Sequence, residues 1–131
     1  MIFVDTSVWY AANVSEEAEH VIAAALVTEP RGRLVTTDYV IDELLTLLVA
    51  RGYRPIAKEL GGLFWSESVC QIIWVERADI DSAWQVFSAF DDKTWSFTDC
   101  VSYAVMKRPQ ITEAFALDEH FKQFGFADVR P

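Results

Sequence analysis

Met1-Ile2-Phe3-Val4-Asp5-Thr6-Ser7-Val8-Trp9 opens the chain and decides how the remainder is read. Ile2, Phe3 and Val4 form an unbroken apolar run with no polar alternation. Such a run suits a strand buried on both faces, at the centre of a parallel sheet. It stops at a carboxylate, followed by two hydroxyl residues and an apolar helical pattern. In open α/β sheets the carboxyl ends of the strands line the functional crevice. Asp5 therefore stands at the mouth of the sheet, where a charge must be solvated, paired or bound to a cation.

Working outward, residues 7–13 read as a short helix ending near Asn13. Ser15-Glu16-Glu17 predicts a second helix with Ser15 as its cap and Val21, Ile22, Ala25 and Leu26 as its apolar face. Residues 33–37 read as a strand. Asp38 is the expected cap of a largely buried helix over 39–51, stopped by Gly52. Asp42 and Glu43 interrupt that helix at the edge of its apolar arc, and the wheel favours Glu43 only slightly as the inward acid. Residues 55–68 form a helical pattern with Ile56, Leu60, Leu63 and Phe64 on one face. A strand follows at 71–75. Asp79 is the expected cap of a helix over 80–90 with Ile80, Ala83, Trp84 and Phe87 on its buried side, and Asp91-Asp92-Lys93 reads as a turn. Ser96-Phe97-Thr98-Asp99 opens a helix that Pro109 ends. Residues 114–117 form a fourth apolar strand ending at Asp118, followed by a brief helix over 119–124 and a last strand near 127–129. Strands alternating with helices predict an α/β fold with a mainly parallel sheet of four to five short strands flanked by helices.

The 131 residues suit a single domain, 1–131, and 52% are hydrophobic, enough for a sizeable core. No apolar run approaches the length of a membrane span, and the N-terminus lacks the basic region and cleavage site of a signal peptide. These features predict no membrane association and a cytoplasmic location. Cys70 and Cys100 lack metal-type spacing and read as buried free thiols. The net charge of −9, from 20 acidic and 11 basic residues, argues against broad, non-specific nucleic-acid binding through Lys and Arg.

Four carboxylates occupy comparable places. Asp5 and Asp118 each end an apolar strand, Glu43 lies one turn into the helix after a strand, and Asp99 sits in the first turn of a helix. In a parallel sheet all four face the carboxyl edge and can share one pocket. Carboxylates held together repel unless a cation intervenes, and oxygen-only donors suit Mg²⁺ or Mn²⁺ rather than Zn²⁺. Each acid also has a structural explanation. Asp99 with Ser96 fits a capping box, Asp118 can cap residues 119–124, and Glu43 can be an ordinary half-exposed helix acid. Asp5 has the weakest such explanation.

Four stretches, in order, carry a resemblance: Ile2-Phe3-Val4-Asp5-Thr6-Ser7; Thr36-Thr37-Asp38-Tyr39-Val40-Ile41-Asp42-Glu43-Leu44-Leu45-Thr46-Leu47; Trp95-Ser96-Phe97-Thr98-Asp99-Cys100; and Ala116-Leu117-Asp118-Glu119-His120-Phe121. Together they span nearly the whole chain, and the sequence resembles the PIN-domain ribonucleases, in particular the small VapC-like toxins of toxin–antitoxin pairs. The resemblance implies a PIN-like three-layer fold and an endoribonuclease dependent on Mg²⁺, with Mn²⁺ able to substitute. It implies hydrolysis by metal-activated water, inhibition by a cognate antitoxin, and a homodimer. The family's acidic quartet carries over onto Asp5, Glu43, Asp99 and Asp118, as catalytic residues and metal ligands. Its supporting polar residues carry over onto Thr6, Ser7, Ser96 and Thr98, with Asn13 where members often carry another polar side chain. Lys58, Lys93, Lys107 and Arg108 are candidates to hold the flanking RNA backbone.

Two other chemistries fit less well. A metal-independent ribonuclease would use His20 and His120 as acid and base, but both read as surface residues. An aspartyl-nucleophile phosphatase needs a second Asp at position 7, which is Ser. The alternative of a different class is a PIN-like module that binds metal or a partner without cutting RNA.

Overall fold

A computed structural model describes residues 1–128 of the chain. Its five strands are β1 (Ile2–Val4), β2 (Leu34–Thr37), β3 (Gln71–Ile73), β4 (Glu113–Phe115) and β5 (Ala127–Asp128). They lie in the order β3-β2-β1-β4-β5, and every pairing is parallel. Position 129, expected in the last strand, lies outside the described residues.

The centre of the sheet is the opening apolar run. Phe3 faces Val35 on one side and Ala114 on the other. Ile2, Phe3 and Val4 are all buried, as a strand covered on both faces requires. The chain turns one way from β1 to β2 and the other way to β4, so the strand order reverses between β1 and β4. Such a switch point opens a crevice beyond the carboxyl ends of the two strands.

Among the described residues seven helices flank the sheet: α1 (Thr6–Asn13), α2 (His20–Thr28), α3 (Asp38–Ala50), α4 (Arg54–Trp65), α5 (Arg77–Ala89), α6 (Phe97–Lys107) and α7 (His120–Gln123). α1 packs on α2, α3 on α4, and α5 on α6. The larger apolar cluster joins the central strands to α1, α3 and α4 through Phe3, Val8, Trp9, Leu44, Leu48 and Phe64. A smaller one sits between α5 and α6 around Ala83, Cys100, Val101 and Val105. Cys70 and Cys100 are buried free thiols, as expected. Among the described residues no helix is long and apolar enough to cross a membrane.

Several local expectations are corrected. α2 starts at His20 rather than near Ser15, whose hydroxyl instead meets Glu16 Oε2 at 3.3 Å. Val21 and Ile22 are exposed, and the helix buries Ala23 and Leu26. Thr37, not Asp38, caps α3, its hydroxyl accepting from Val40 N at 3.1 Å. Asp38 instead accepts from Val75 N at 2.9 Å and ties α3 to the chain leaving β3. Glu76 caps α5, and Asp79 is the third helical residue of its capping box. Leu63 on α4, and Trp84 and Phe87 on α5, are exposed rather than buried.

Candidate active site

The switch point gathers side chains from β1, β4, α6 and α7. Asp5 follows β1 directly and caps α1. Its Oδ2 accepts from Ser7 Oγ at 2.9 Å and from Ser7 N at 3.4 Å. Ser7 Oγ in turn accepts from Leu117 N at 3.1 Å, and Asp5 N donates to Phe115 O at 3.0 Å. The ends of β1 and β4 are therefore locked together beneath the carboxylate. Asp5 is 3% exposed. Burial, then the charges of Asp99 and Asp118, push its carboxyl up from 3.8 to about 7.

Asp99 enters from the first turn of α6. Ser96 and Asp99 form a full capping box: Asp99 N donates to Ser96 Oγ at 3.0 Å, and Ser96 N donates to Asp99 Oδ2 at 3.0 Å. The structural explanation for Asp99 is thus correct, and it leaves room for more. The residue is buried, and burial raises its carboxyl despite the opposing bond from Ser96 and the nearby imidazole of His120. Asp118 follows β4, is 39% exposed at its side chain, and accepts from His120 N at 3.0 Å.

His120 is the residue that sequence reasoning misplaced. It is half-buried, with Nδ1 2.7 Å from Asp99 Oδ2 and 3.7 Å from Asp118 Oδ1. Nε2 lies 3.3 Å from Thr94 Oγ1. Its one available signal was a place two residues after Asp118, where α7 begins. His20 is remote from this cluster in its contacts, its Nδ1 standing 2.7 Å from Ala11 O.

Glu43 is half-buried and Asp42 exposed, in keeping with the slight preference of the helical wheel. Glu43 shares the carboxyl edge of the sheet, on the second turn of α3. Among the described residues no contact ties it to the three aspartates, and no three carboxylate, imidazole or thiol groups form a ready-made metal cage. Of the supporting polar residues, Ser7 and Ser96 touch the acids. Thr6 is buried with no partner for its hydroxyl among the described residues. Thr98 is half-buried. Asn13 turns back on its own helix, donating to Trp9 O at 2.8 Å, at the end of α1 far from Asp5. Of the cations, Arg108 is committed to Asp79 through two 2.9 Å contacts, and Lys107 lies over the Tyr103 ring at 4.1 Å.

Oxygen-only donors of this kind are the type a hard divalent cation takes. Asp5 is almost fully buried, and the charges of Asp99 and Asp118 add to burial in raising its carboxyl, a cost that a positive charge placed among them would relieve.

Three comparisons bear on this arrangement. The sequence matches the PIN domain family over residues 2–127. It is similar to the 23S rRNA-specific endonuclease VapC20 of Mycobacterium tuberculosis, 34% identical over 132 residues, covering 100% of this chain and 99% of that protein. A VapC ribonuclease of Archaeoglobus fulgidus is 31% identical over 107 residues, 78% of this chain and 67% of its own length. The crystal structure of Mycobacterium tuberculosis VapC20, described as a sarcin–ricin loop cleaving toxin, matches with a TM-score of 0.92 and 31% identity over the whole of both chains.

Proposed function

The chain belongs to the PIN-domain family, and we propose that it is a VapC-like endoribonuclease that hydrolyses RNA phosphodiester bonds with Mg²⁺ or Mn²⁺. The observation that supports this most is Asp5, a carboxylate 3% exposed and held beside Asp99 and Asp118 at the strand-order switch. Burial and the charges of Asp99 and Asp118 push the Asp5 carboxyl up to about 7, and a cation among them would favour its charged form. In this reading Asp5, Asp99 and Asp118 hold the metal, with Glu43 as a fourth oxygen donor from α3. A divalent ion held there supplies a nucleophilic water near neutral pH and neutralises charge on the phosphate. The protein's own part is orientation. Ser7 fixes the Asp5 carboxylate against the end of β4, and Ser96 fixes Asp99 on the first turn of α6. His120 places the nearest imidazole beside Asp99.

The relatives named above support RNA as the substrate class, and the sarcin–ricin loop is the first RNA to try. A cognate antitoxin would silence the site by setting basic side chains against the acids, and the working species would be a homodimer. The test is cleavage of a sarcin–ricin stem-loop by purified protein with Mg²⁺, with Mn²⁺ and with EDTA, beside Asp99→Asn. The expected outcome is cleavage that needs metal and falls by about 100-fold or more in the variant. A folded protein that binds Mn²⁺ yet cuts neither this RNA nor a mixed RNA panel would favour the non-catalytic module.

A further inference from the structure

The aromatic side chains of α5 and of the loop that follows do not all enter the core. Trp84, Phe87 and Phe90 are 59%, 42% and 47% exposed. Trp84 and Phe87 stack at 5.8 Å, and both meet Phe97. Scattered exposed aromatics are ordinary, but a contiguous set marks a binding surface. Here the set borders a cleft of about 230 Å³ lined by Phe87, Phe90, Asp91, Lys93, Trp95 and Cys100. Trp95 is a fixed wall, stacked on Phe124 at 4.3 Å with its Nε1 donating to Gln123 Oε1 at 2.7 Å. Phe90 meets Trp95 edge-on at 5.3 Å, and among the described residues it meets no other ring. Lys93 Nζ stands 5.9 Å from the Trp95 ring centre and 3.7 Å from Asp92, a surface pair that is easily exchanged.

The loop over residues 91–96 joins this cleft to the acid cluster. Thr94 reaches His120 and Ser96 holds Asp99, while the alternating residues Lys93 and Trp95 line the cleft. A net charge of −9 with 11 basic residues argues against affinity for RNA resting on broad phosphate neutralisation. Base stacking on aromatic rings supplies affinity that does not depend on net charge. Asp91 at the rim adds an acceptor suited to base N–H donors.

We propose that this cleft is a base-stacking subsite for a nucleotide flanking the bond cut at the acid cluster. Phe90 supplies the ring face and Lys93 meets the adjoining phosphate; the proposal rests on the ribonuclease reading. The test compares wild type, Phe90→Leu and Phe90→Tyr in two assays. In EDTA, tryptophan emission is titrated with a mixed-sequence RNA decamer and with its abasic counterpart. Wild type and Phe90→Tyr should bind the decamer with bases about tenfold more tightly than the abasic one, and Phe90→Leu should lose the difference. With Mn²⁺ and the stem-loop, Phe90→Leu should raise KM about tenfold and leave kcat within about twofold. If wild type cleaves but Phe90→Leu keeps its KM and the two decamers bind alike, the subsite is wrong while the ribonuclease reading stands. If wild type cuts no RNA yet prefers the decamer with bases, and Phe90→Leu loses that preference, the ribonuclease reading fails and the cleft remains an RNA-binding surface. Conversion of a dimer to a monomer by Phe90→Leu, seen by light scattering with no preference between decamers, would assign the face to a second copy and overturn the proposal.

Discussion

Asp5 is the residue on which fold and chemistry make opposite demands. The fold buries it, and the proposed chemistry needs it charged. Without metal its carboxyl rises to about 7, while in the unfolded chain it ionises near the ordinary value of about 3.9. Between these values the native state holds a proton that the unfolded state has lost, so stability falls as pH rises through the window and levels off above 7. In EDTA, urea unfolding should show the wild type losing roughly 2–3 kcal/mol between pH 5 and pH 8, and Asp5→Asn should be nearly flat over that range. Equal slopes would show that Asp5 keeps its ordinary ionisation in the fold. Metal should reverse the effect: at pH 8, millimolar Mn²⁺ should raise the Tm of the wild type by several degrees and leave that of Asp5→Asn unchanged. Asp5 was legible in the sequence because its reason is local, a charge at the end of a fully apolar strand. His120 was not, because its approach to Asp99 depends on how α7 folds back over α6, and no short-range pattern carries that.

α6 shows how one element serves both stability and the site. Ser96→Ala removes the cap hydroxyl and one of the bonds that orient Asp99. It should cost about 1 kcal/mol in denaturant unfolding and lower cleavage in step, whereas an activity unchanged by the loss would separate the capping box from catalysis. At the other end of the helix, Arg108 holds the buried carboxylate of Asp79 through two 2.9 Å contacts and reaches Trp74 O at 3.0 Å, fastening α6 to α5. Burial alone would raise the Asp79 carboxyl, and the Arg108 hydrogen bonds bring it below the ordinary value. That stabilisation is present above about pH 4 and is lost as acid protonates Asp79 in the fold. Arg108→Met should therefore cost about 2 kcal/mol at pH 7 and less at pH 3, with Asp79→Asn in the same chain recovering part of the loss. A cost independent of pH would contradict the pairing. The caps of α3 and α5 were misread by one and three residues for a shared reason. Asp38 has the right chemistry for capping but is used for a distant partner, Val75 N, and Asp79 serves its capping box from the third helical position while also holding Arg108; only the tertiary fold supplies these partners. Trp84 and Phe87 were assigned to the core because hydrophobicity does not distinguish a core face from an exposed one.

For the whole molecule, the topology is the part most open to sequence reasoning. Buried strands, helix starts and strand-end acids are all short-range signals, and a parallel sheet with right-handed crossovers leaves few ways to assemble them. The order β3-β2-β1-β4-β5 then brings Asp5 and Asp118 to adjacent strand ends. The relation of Glu43 to that pair is set by the rotation of α3 about its axis, which packing decides and periodicity does not. The charge of the whole molecule yields a further expectation. A protein of net charge −9 that holds RNA by stacking and a few cations should show a shallow dependence of KM on salt, with log KM against log[KCl] rising at a slope of about 2 or less. A slope of about 5 or more would mean an extensive phosphate interface instead. The central claim, hydrolysis by water at a carboxylate-held metal, is tested most directly by the ends of the RNA fragments. Attack by water on phosphorus predicts 5′-phosphate and 3′-hydroxyl termini, whereas 2′,3′-cyclic phosphate termini would mean attack by the ribose hydroxyl and would contradict the account.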